Sequence, residues 1–449
     1  MALAAADQRL RLGAVTPDFD RAAFAADLAE FDFGRPVPLA ELCDWTVAGL
    51  EHGVVHMTHP RYLGLFNPAP SFPAQCADRI AATFNPQLAS ATTSPAAVAI
   101  EAHVIGAVAR RAGMPPAAGG HFTVGGSEAN ATALACALTR AEPGFAEGGS
   151  RAFAGQPVFY ISQDSHLAWI KLAHLAGIGR AAARLVPTDA EGRISLTALA
   201  ETIARDRAAG CIPVMVVATA GTTNAGMVDP LAGCRAAARA AGSWFHVDAA
   251  WGGGLIASER LGGLLAGIGD ADSITIDAHK WFATTLGCGM LLTAHPAMLP
   301  ATFDVRTSFM PSHAPALDPY LTTAQWSRRF AGLRLFLSLG AAGWAGHAAH
   351  VERAVALGRL LADGMAALGW SVANDPALAV VCLRPPPGSP AVRHIVARVL
   401  AGGGAWVSAA VFAGADVVRA CVTHGETSGA DIAVVAELLE RARQDATPQ

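Results

Sequence analysis

The stretch SITIDAHKWFATTLGCGMLLTA occupies residues 273–294 and joins two strand-like runs through a turn rich in Gly and Thr. The runs are SITIDA (273–278) and GMLLTA (289–294). Runs of this length and composition, bounded by polar or Gly-containing turns, are typical of strands buried inside a sheet. Lys280 lies in the turn, directly after His279. A charged side chain just past a buried strand is the first candidate functional residue of the chain.

Runs of the same kind recur upstream of this stretch. They are PVFYIS (157–162), IPVMVVAT (212–219) and WFHVDAA (244–250). Segments of helical character, for instance 194–209 and 229–241, lie between them. This alternation predicts an α/β fold with a mainly parallel sheet that helices cover on both faces. Ligands of such sheets bind beyond the carboxyl ends of the strands, which is where functional side chains are expected.

The sequence pattern divides the chain into three parts. Residues 1–75 form an N-terminal segment of helical tendency that ends in Pro-rich sequence. Residues 76–340 contain the alternating strands and helices and form a large domain. Residues 341–449 contain a helical stretch (348–368), two strand-like runs and a closing helix (429–443). That order predicts a small C-terminal α+β domain.

Composition excludes several classes of function. The 449 residues are 52% hydrophobic and 15% charged, as in a folded enzyme rather than a disordered chain. The net charge of −4 and the lack of a basic block disfavour nucleic acid and anionic membrane surfaces as partners. No apolar run reaches the ~18–20 residues of a membrane span, and the N-terminus lacks a secretory pattern. The eight cysteines show no C-x-x-C pair, so we expect a reduced, cytoplasmic chain with neither disulfides nor a metal site.

Lysine occurs only at Lys171 and Lys280, although the chain contains 32 lysines and arginines together. Arginine cannot replace a lysine whose amine must lose its proton, for instance to form a Schiff base. A drift from lysine to arginine would therefore retain a catalytic lysine, which favours a catalytic role for Lys280. The alternative is a structural lysine on a solvated helix face, and Lys171 fits that description better.

Three polar residues at the ends of predicted strands are further candidates. Asp248, in HVDAAWGG (246–253), either caps the following turn or faces a cationic nitrogen of a cofactor. His166 follows the run PVFYIS, and Thr219 ends the run IPVMVVAT. Both have a structural alternative, since a lone histidine or a threonine in a turn commonly serves the fold alone.

Residues 125–130, GGSEAN, precede a run of good helix formers. Backbone N–H groups at a helix N-terminus bind phosphate, so Gly126 and Ser127 are candidate phosphate-binding residues. The alternative is a helix without a ligand, in which Ser127 is the N-cap.

These segments occur together and in one order, and with them the chain resembles the group II pyridoxal-5′-phosphate-dependent amino acid decarboxylases. That family includes the aromatic-L-amino-acid, glutamate, histidine and diaminobutyrate decarboxylases. The motifs HVDAAWGG (246–253) and DAHKW (277–281) are the most specific of the matching stretches. The others are HPRYLGLF, TSPAAVAIEA, GGSEAN, DSHLAW, ATAGTT, QWSRRF and, more loosely, RACVTHGETSGADI near the end.

The resemblance implies fold type I, the aspartate-aminotransferase-like fold, with pyridoxal 5′-phosphate as the cofactor. Lys280 would hold the cofactor as an internal aldimine. Asp248 would pair with the pyridine nitrogen and keep it protonated, which makes the ring an electron sink. His166 would stack on the ring face and help to hold the substrate.

The remaining cofactor contacts are implied in the same way. Gly126 and Ser127 would bind the phosphate, with His279 as a further phosphate contact. Thr219 would lie near the ring oxygen or the substrate carboxylate, and Ala250 beside the ring. The family works as a homodimer with the active site at the subunit interface.

The implied reaction is decarboxylation of an L-amino acid through aldimine and quinonoid intermediates, and we expect an aromatic substrate. Aminotransferases and lyases acting at Cβ could use the same fold, ring partner and lysine, but the context of His166 and the segment QWSRRF argue against them. A binding-only homologue without activity is the other alternative, and the retained Lys280 argues against it.

The chain departs from the family in the loop before QWSRRF. The family usually has a tyrosine there that protonates the intermediate, whereas this chain has Phe309, which has no proton to give. Two outcomes remain open: another acid such as His313 replaces the tyrosine, or the intermediate reacts with O2 to give an aldehyde, ammonia and peroxide. The chain has only three tyrosines, Tyr62, Tyr160 and Tyr320.

A second departure is Asp277, where several family members have asparagine. A carboxylate close to the phosphate would be unfavourable unless it is paired or turned away. Arg328 or Arg329 contacts either an anionic ligand group or a carboxylate of the fold. Aromatic residues that could line a substrate pocket are Phe66, Phe84, Trp251 and Phe309, and Asn67 and Pro68 lie where the family recognises the substrate side chain.

Overall fold

The computed structural model describes residues 13–310 and 318–445. Its strands in the first two thirds of the chain are β1 (Gly119–Thr123), β2 (Pro157–Ser162), β3 (Ala183–Val186), β4 (Ile212–Thr219), β5 (Trp244–Asp248), β6 (Ser273–Asp277) and β7 (Gly289–Thr293). They form one sheet in the order β1–β7–β6–β5–β4–β2–β3. All five runs that predicted strands form strands of this sheet.

The sheet is mainly parallel, as predicted. Strands β3, β2, β4, β5 and β6 pair in parallel, and β7 runs antiparallel to both β6 and β1. Residues 278–288 connect β6 to β7, which is too short for a crossover helix, so the chain turns back along its neighbour. The turn that contains Lys280 therefore lies at the carboxyl edge of the parallel strands.

The sequence patterns did not predict β1 and β3, which lie at the two edges of the sheet. Strand β1 begins with two glycines and has no apolar run. Gly120 has φ 146°, and a Cβ there would lie 1.9 Å from the carbonyl oxygen of Leu291, so only glycine allows this pairing with β7. Strand β3 has four residues, of which two are not buried.

Helices cover both faces of the sheet. The helices are α1 (Arg21–Ala29), α2 (Leu39–Gly53), α3 (Phe72–Phe84), α4 (Pro95–Arg111), α5 (Gly126–Ala141), α6 (Phe145–Gly148), α7 (Ala168–Leu175), α8 (Leu196–Ala208), α9 (Leu231–Ala240), α10 (Met298–Phe303), α11 (Gly332–Ala367), α12 (Val392–Ala401) and α13 (Gly429–Gln444). Side chains along a strand point alternately to opposite faces. In β2, Val158 and Tyr160 enter the core that contains α4 and α9, and Phe159 and Ile161 enter the core that contains α5 and α7.

The C-terminal part has its own small sheet and confirms the predicted α+β arrangement. Its strands are β8 (Ser371–Val372), β9 (Val380–Arg384), β10 (Ser408–Phe412) and β11 (Ala415–Cys421), antiparallel in the order β10–β11–β9–β8. Helix α11 leads into this part and is interrupted at Gly343, whose φ of 63° and ψ of 175° are not helical. The predicted helix 348–368 corresponds to its second half. Within the described ranges, no helix is both long and apolar enough to cross a bilayer.

Candidate active site

A cavity of about 330 Å³ opens at the carboxyl edge of the parallel strands. It is lined by residues that follow β1, β2, β4, β5 and β6, together with Phe66 from the N-terminal part. Parallel strands bring residues that are distant in sequence to one edge, and so every candidate near a strand end faces the same space. The lining residues are Phe66, Val124, Gly125, Gly126, Ser127, Glu128, Asn130, His166, Thr219, Gly221, Thr223, Asp248, Ala250, Trp251, Asp277, His279 and Lys280.

Lys280 extends into this cavity from the turn after β6. Its side chain is 20% exposed, and Nζ lies 3.1 Å from Asp277 Oδ2 and 5.4 Å from the centre of the Phe66 ring. Phe66 stacks on Trp251 at a centroid distance of 4.3 Å, and Trp251 stacks on Trp281 at 4.0 Å. The amine of Lys280 therefore lies beside a stack of three aromatic rings.

Asp248 ends β5 on the floor of the cavity and is 5% exposed. Asn130 Nδ2 donates to Oδ2 of Asp248 at 2.8 Å, and the backbone N–H of Ala250 donates to Oδ1 at 3.2 Å. A carboxylate that accepts two hydrogen bonds is held in a fixed orientation. Asp248 is therefore a positioned anion at the base of the cavity.

The hydrogen bonds behind Asn130 have one consistent direction. Because its Nδ2 donates to Asp248, its Oδ1 faces Nε2 of His246 at 3.1 Å, and Nε2 must carry the hydrogen. Burial lowers the pKa of His246 to about 4, so the ring is neutral and Nδ1 accepts from Ser273 Oγ at 2.7 Å. Ser273 Oγ in turn accepts from Trp244 Nε1 at 2.7 Å. The donor-only indole at one end and the carboxylate at the other fix every hydrogen between them.

The N-terminus of α5 forms the third side of the cavity. The helix has Gly125 as its N-cap and no side-chain hydrogen bond to its first N–H groups. Ser127 lies in the first turn, so the alternative in which Ser127 caps this helix is wrong. The first N–H groups of a helix have no partner within it and carry the positive end of the helix dipole. This end of the cavity suits an anion.

Thr219 and His166 complete the wall opposite Lys280. Thr219 Oγ1 lies 2.7 Å from Ser165 Oγ, and its backbone N–H donates to Asp229 Oδ2 at 2.7 Å. Burial raises the pKa of Asp229 to about 7. His166 lies in the turn after β2, where its Nδ1 accepts from the backbone N–H of Ala168 at 3.3 Å. Asp229 lies behind Thr219 and supports its position.

Two of the predicted aromatic residues lie outside the cavity of their own chain. Phe309 is 73% exposed and packs on Trp326 at a centroid distance of 6.1 Å, and Phe84 is 79% exposed. Asn67 and Pro68 are not among the lining residues either. His313 lies outside the described residues.

Arg328 contacts a carboxylate of the fold, which was the structural alternative for this residue. It is 6% exposed, donates to Glu101 Oε2 at 2.8 Å and to the carbonyl oxygen of Phe122 at 3.1 Å, and does not line the cavity. The predicted contact of Arg328 with an anionic ligand group is therefore not seen in this chain, because Glu101 already neutralises the guanidinium. Arg329 is exposed and does not line the cavity.

Two residues that the sequence patterns did not single out, Asn130 and Arg419, also lie in this region. Arg419 is 3% exposed, donates to the carbonyl oxygens of Thr223 and Gly64, and lies over the Phe66 ring at 4.9 Å. Its Nη2 is buried and has no hydrogen-bond partner among the described residues. An arginine in the apolar strand ADVVRAC was the signal, because charged residues are rarely buried unless they are paired.

The cavity fits a phosphorylated pyridine aldehyde. The uncapped helix terminus suits a phosphate, the fixed carboxylate of Asp248 suits a protonated ring nitrogen, and Lys280 is the amine that an aldehyde requires. These three features at the carboxyl edge of a parallel sheet define the class of pyridoxal-phosphate enzymes.

Comparisons with known proteins identify the family. The model of the pyridoxal-dependent decarboxylase conserved domain matches residues 37–385. L-2,4-Diaminobutyrate decarboxylase of Rhizobium meliloti is 33% identical over 364 residues, covering 80% of this chain and 69% of that protein. Tyrosine decarboxylase of Oryza sativa is 30% identical over 447 residues, covering 91% of this chain and 81% of that protein. The crystal structure of Oryza sativa TDC with PLP and tryptamine matches with a TM-score of 0.90 and 25% identity over 96% of this chain and 93% of that chain.

The chain therefore belongs to the pyridoxal-dependent decarboxylase family. It is a carboxy-lyase of fold type I, and its cofactor is pyridoxal 5′-phosphate. The predicted family, fold class and cofactor are confirmed.

Proposed function

We propose that this enzyme decarboxylates an aromatic L-amino acid, with Lys280 and Asp248 as its central catalytic residues. The observation that carries the proposal is their convergence, with the N-terminus of α5, on one cavity. Gly126, Ser127 and His279 bind the phosphate, and Thr219, Ala250 and His166 border the ring. These assignments are supported by the lining of the cavity and by the resemblance of the motifs.

When bound, pyridoxal 5′-phosphate supplies a protonated ring that accepts the electron pair left behind as CO2 departs. Asp248 would face the ring nitrogen and hold a proton there, since hydrogen bonds from Asn130 and Ala250 fix the orientation of its carboxylate. Lys280 would hold the cofactor, because its side chain is the amine in this cavity that an aldehyde group requires.

We propose that Arg419 orients the α-carboxylate of the substrate. Among the described residues its Nη2 has no hydrogen-bond partner. Its guanidinium lies outside the lining of the cavity but contacts the Phe66 ring at 4.9 Å, and Lys280 Nζ contacts the same ring at 5.4 Å. A buried guanidinium without an anion gains when a carboxylate approaches it, because desolvated charges attract strongly. Arg419→Gln should raise KM for the amino acid more than it lowers kcat, and an unchanged KM would contradict this role.

Phe66 and Trp251 support an aromatic substrate. Both line the cavity, their rings stack at 4.3 Å, and the face of an aromatic ring packs well on another aromatic ring. The lining residues include no arginine that would mark an acidic side chain.

The first test is a product assay of the purified, cofactor-loaded enzyme with a panel of L-amino acids. We expect the largest kcat/KM for tyrosine, tryptophan, phenylalanine or their hydroxylated derivatives. A preference for glutamate or diaminobutyrate would contradict the aromatic assignment. Lys280→Arg should abolish turnover, because a guanidinium does not deprotonate to form the imine.

The second candidate product is an aldehyde, formed by decarboxylation-dependent oxidative deamination. The observation that favours it is the burial of all three tyrosines: Tyr62 is 1% exposed, Tyr160 0% and Tyr320 5%, and none lines the cavity. Without a tyrosine to protonate Cα, His313 or O2 must complete the reaction. With one O2 and one water, each substrate yields one CO2, one aldehyde, one ammonia and one hydrogen peroxide.

Phe309→Tyr separates the two outcomes. If the missing hydroxyl decides the product, the native enzyme consumes O2 and forms aldehyde, and the variant shifts the ratio toward amine. Simultaneous oxygen-electrode and mass-spectrometric readouts measure both. Amine formation without oxygen uptake in the native enzyme would instead favour His313 as the acid that protonates Cα. The variant His313→Ala tests this role and should then lose amine formation.

We propose that the enzyme is a homodimer. No residue of helices α1 and α2 is buried within this chain, and the two helices together expose several large apolar side chains. Isolated helices of this length gain most of their stability from packing an apolar face, which a second copy would provide. The exposed apolar side chains of this segment are Leu28, Phe33, Val37, Leu39, Val47 and Leu50.

A further inference from the structure

Asp277 places a negative charge beside the part of the cavity that suits an anion. It ends β6, its side chain is 4% exposed, and it lines the cavity. A Cβ built on Gly126 would lie 3.1 Å from Asp277 Oδ2, so the carboxylate borders the first turn of α5. The carboxylate and a phosphate would therefore occupy neighbouring positions and repel each other.

The negative charge of Asp277 is balanced by a residue that also has a proposed role in binding the cofactor. Oδ2 lies 3.1 Å from Lys280 Nζ and 3.8 Å from His279 Nε2. Burial lowers the pKa of His279, which leaves that ring neutral near pH 7. Oδ1 is buried and has no hydrogen-bond partner among the described residues. The positive charge that balances Asp277 is therefore the ammonium of Lys280.

Cofactor binding disturbs this balance twice. Lys280 must lose a proton before its amine can attack an aldehyde, which removes the positive partner of Asp277. The phosphate then brings further negative charge to the adjacent helix terminus. Both changes leave Asp277 as a buried carboxylate whose charge is poorly compensated, and such a group is costly.

We propose that Asp277 weakens the hold of this enzyme on its cofactor, so that the loaded fraction follows the free cofactor concentration. In the cofactor-free enzyme, Asp277 Oδ2 pairs with Lys280 Nζ at 3.1 Å. In the loaded enzyme, it repels the phosphate. The inference rests on the proposed roles of Lys280 and of the α5 N-terminus.

The test is Asp277→Asn, which removes the charge and nearly preserves the shape. Dialysed protein is titrated with pyridoxal 5′-phosphate, and the dissociation constant is read from the absorbance of the bound cofactor. We expect about tenfold tighter binding or more, because the charge removed borders the first turn of α5, the proposed phosphate site. Asp277→Ser, a second neutral variant, should tighten binding in the same direction.

Pyridoxal, which lacks the phosphate, shows where the charge acts. Asp277→Asn should tighten the binding of pyridoxal 5′-phosphate several-fold more than that of pyridoxal. Equal gains for both ligands would overturn the proposal, because the effect would then act through Lys280 alone. Unchanged affinity for pyridoxal 5′-phosphate would also overturn it.

Asp270→Asn is the matched control for net charge. Asp270 lies at the surface before the opposite end of β6 and pairs with Arg235 at 2.9 Å. It should leave both dissociation constants unchanged, and an equal gain in this variant would refute a local effect. If neither native nor variant protein forms the absorbance band, the proposed role of Lys280 fails, whereas a band with unchanged affinity contradicts the inference about Asp277 only.

Discussion

At the scale of single residues, the orientation of Asp248 depends on the neighbours that bond to its carboxylate and on the residues behind them. Asn130 connects the carboxylate to a neutral His246, and the two hydrogen bonds of the amide leave it one orientation. Thr275 Oγ1 also donates to Asn130 Oδ1 at 2.7 Å. Removing such a residue leaves several buried polar groups without partners at once.

Asn130→Ala should therefore destabilise the protein and weaken cofactor binding together. We expect a loss of about 1–3 kcal/mol in the free energy of unfolding, the usual cost of buried polar groups without partners. Urea unfolding of the cofactor-free protein measures it. Asn374→Ala is a matched control, because Asn374 bonds to backbone groups of Ala225, Val380 and Cys382 and does not line the cavity. It should lose stability while the cofactor affinity stays unchanged; an equal affinity loss in both variants would argue against a specific role for Asn130.

At the scale of secondary-structure elements, the site consists of the ends of strands and the beginning of one helix. Helix α5 starts against the end of β5 and β6, and the lack of a side chain at Gly126 keeps its N-terminus open. A Cβ on Gly126 would lie 3.1 Å from Asp277 Oδ2 and 3.2 Å from the Cβ of Ala250. Contacts of 3.0–3.4 Å are tighter than most that real Cβ atoms make.

Gly126→Ala should weaken cofactor binding, because the added methyl group narrows the helix terminus, while the fold is retained. The dissociation constant for pyridoxal 5′-phosphate measures the effect, and a tenfold increase is the expected order. Gly340→Ala, inside α11 with open space around its Cβ, is the control. It should raise the free energy of unfolding by about 0.5–1 kcal/mol and leave binding unchanged. Normal binding by Gly126→Ala would exclude this terminus as the phosphate site.

At the scale of the whole molecule, burial of ionisable groups determines how stability varies with pH. Burial lowers the pKa of His59 to about 4, of His121 to about 3 and of His246 to about 4. Each is neutral in the folded protein but takes up a proton near pH 6.5 when unfolded. Asp229 acts in the opposite direction, because burial raises its pKa to about 7 and the folded state holds the extra proton.

Stability should therefore fall as the pH is lowered from about 6.5 to about 4, since the histidines whose pKa burial lowers, His350 among them, outnumber the carboxyls whose pKa burial raises. Over this range the unfolded state binds more protons, and each net proton contributes about 1.4 kcal/mol per pH unit at most. Urea unfolding of the cofactor-free protein at several pH values measures the slope. A stability that rises toward pH 5 would show that Asp229 and other carboxyls dominate.

The assembly can be tested on the exposed apolar side chains of α2. Leu39 is 75% exposed and Leu50 54%, and their spacing of eleven positions places them on one face of the helix. Leu50→Glu should shift the sedimentation of the protein from dimer to monomer. Val411→Glu, at an exposed position in β10, is the control and should remain a dimer. A native protein that sediments as a monomer would contradict the proposed homodimer.

The domain boundaries at residues 75 and 340 remain a proposal on the same scale. Helix α11 spans the second boundary and is interrupted at Gly343. Limited proteolysis that cleaves first near this position would support the boundary, and a protected segment would argue against it.

The sequence by itself determined the five inner strands of the large sheet, the family and several of the residues that line the cavity. Apolar runs of strand length and the motifs around Asp248 and Lys280 are local signals, and parallel strands place their carboxyl ends at one edge. The edge strands β1 and β3 were not predictable in this way, because their residues carry little apolar pattern. Only the tertiary structure decided that Arg328 pairs with Glu101 and that Arg419 lies behind Phe66. Only the tertiary structure placed Asp277 against Lys280 at the helix terminus. Such partnerships join residues far apart in the chain or on different elements, and their energies depend on burial that only packing creates.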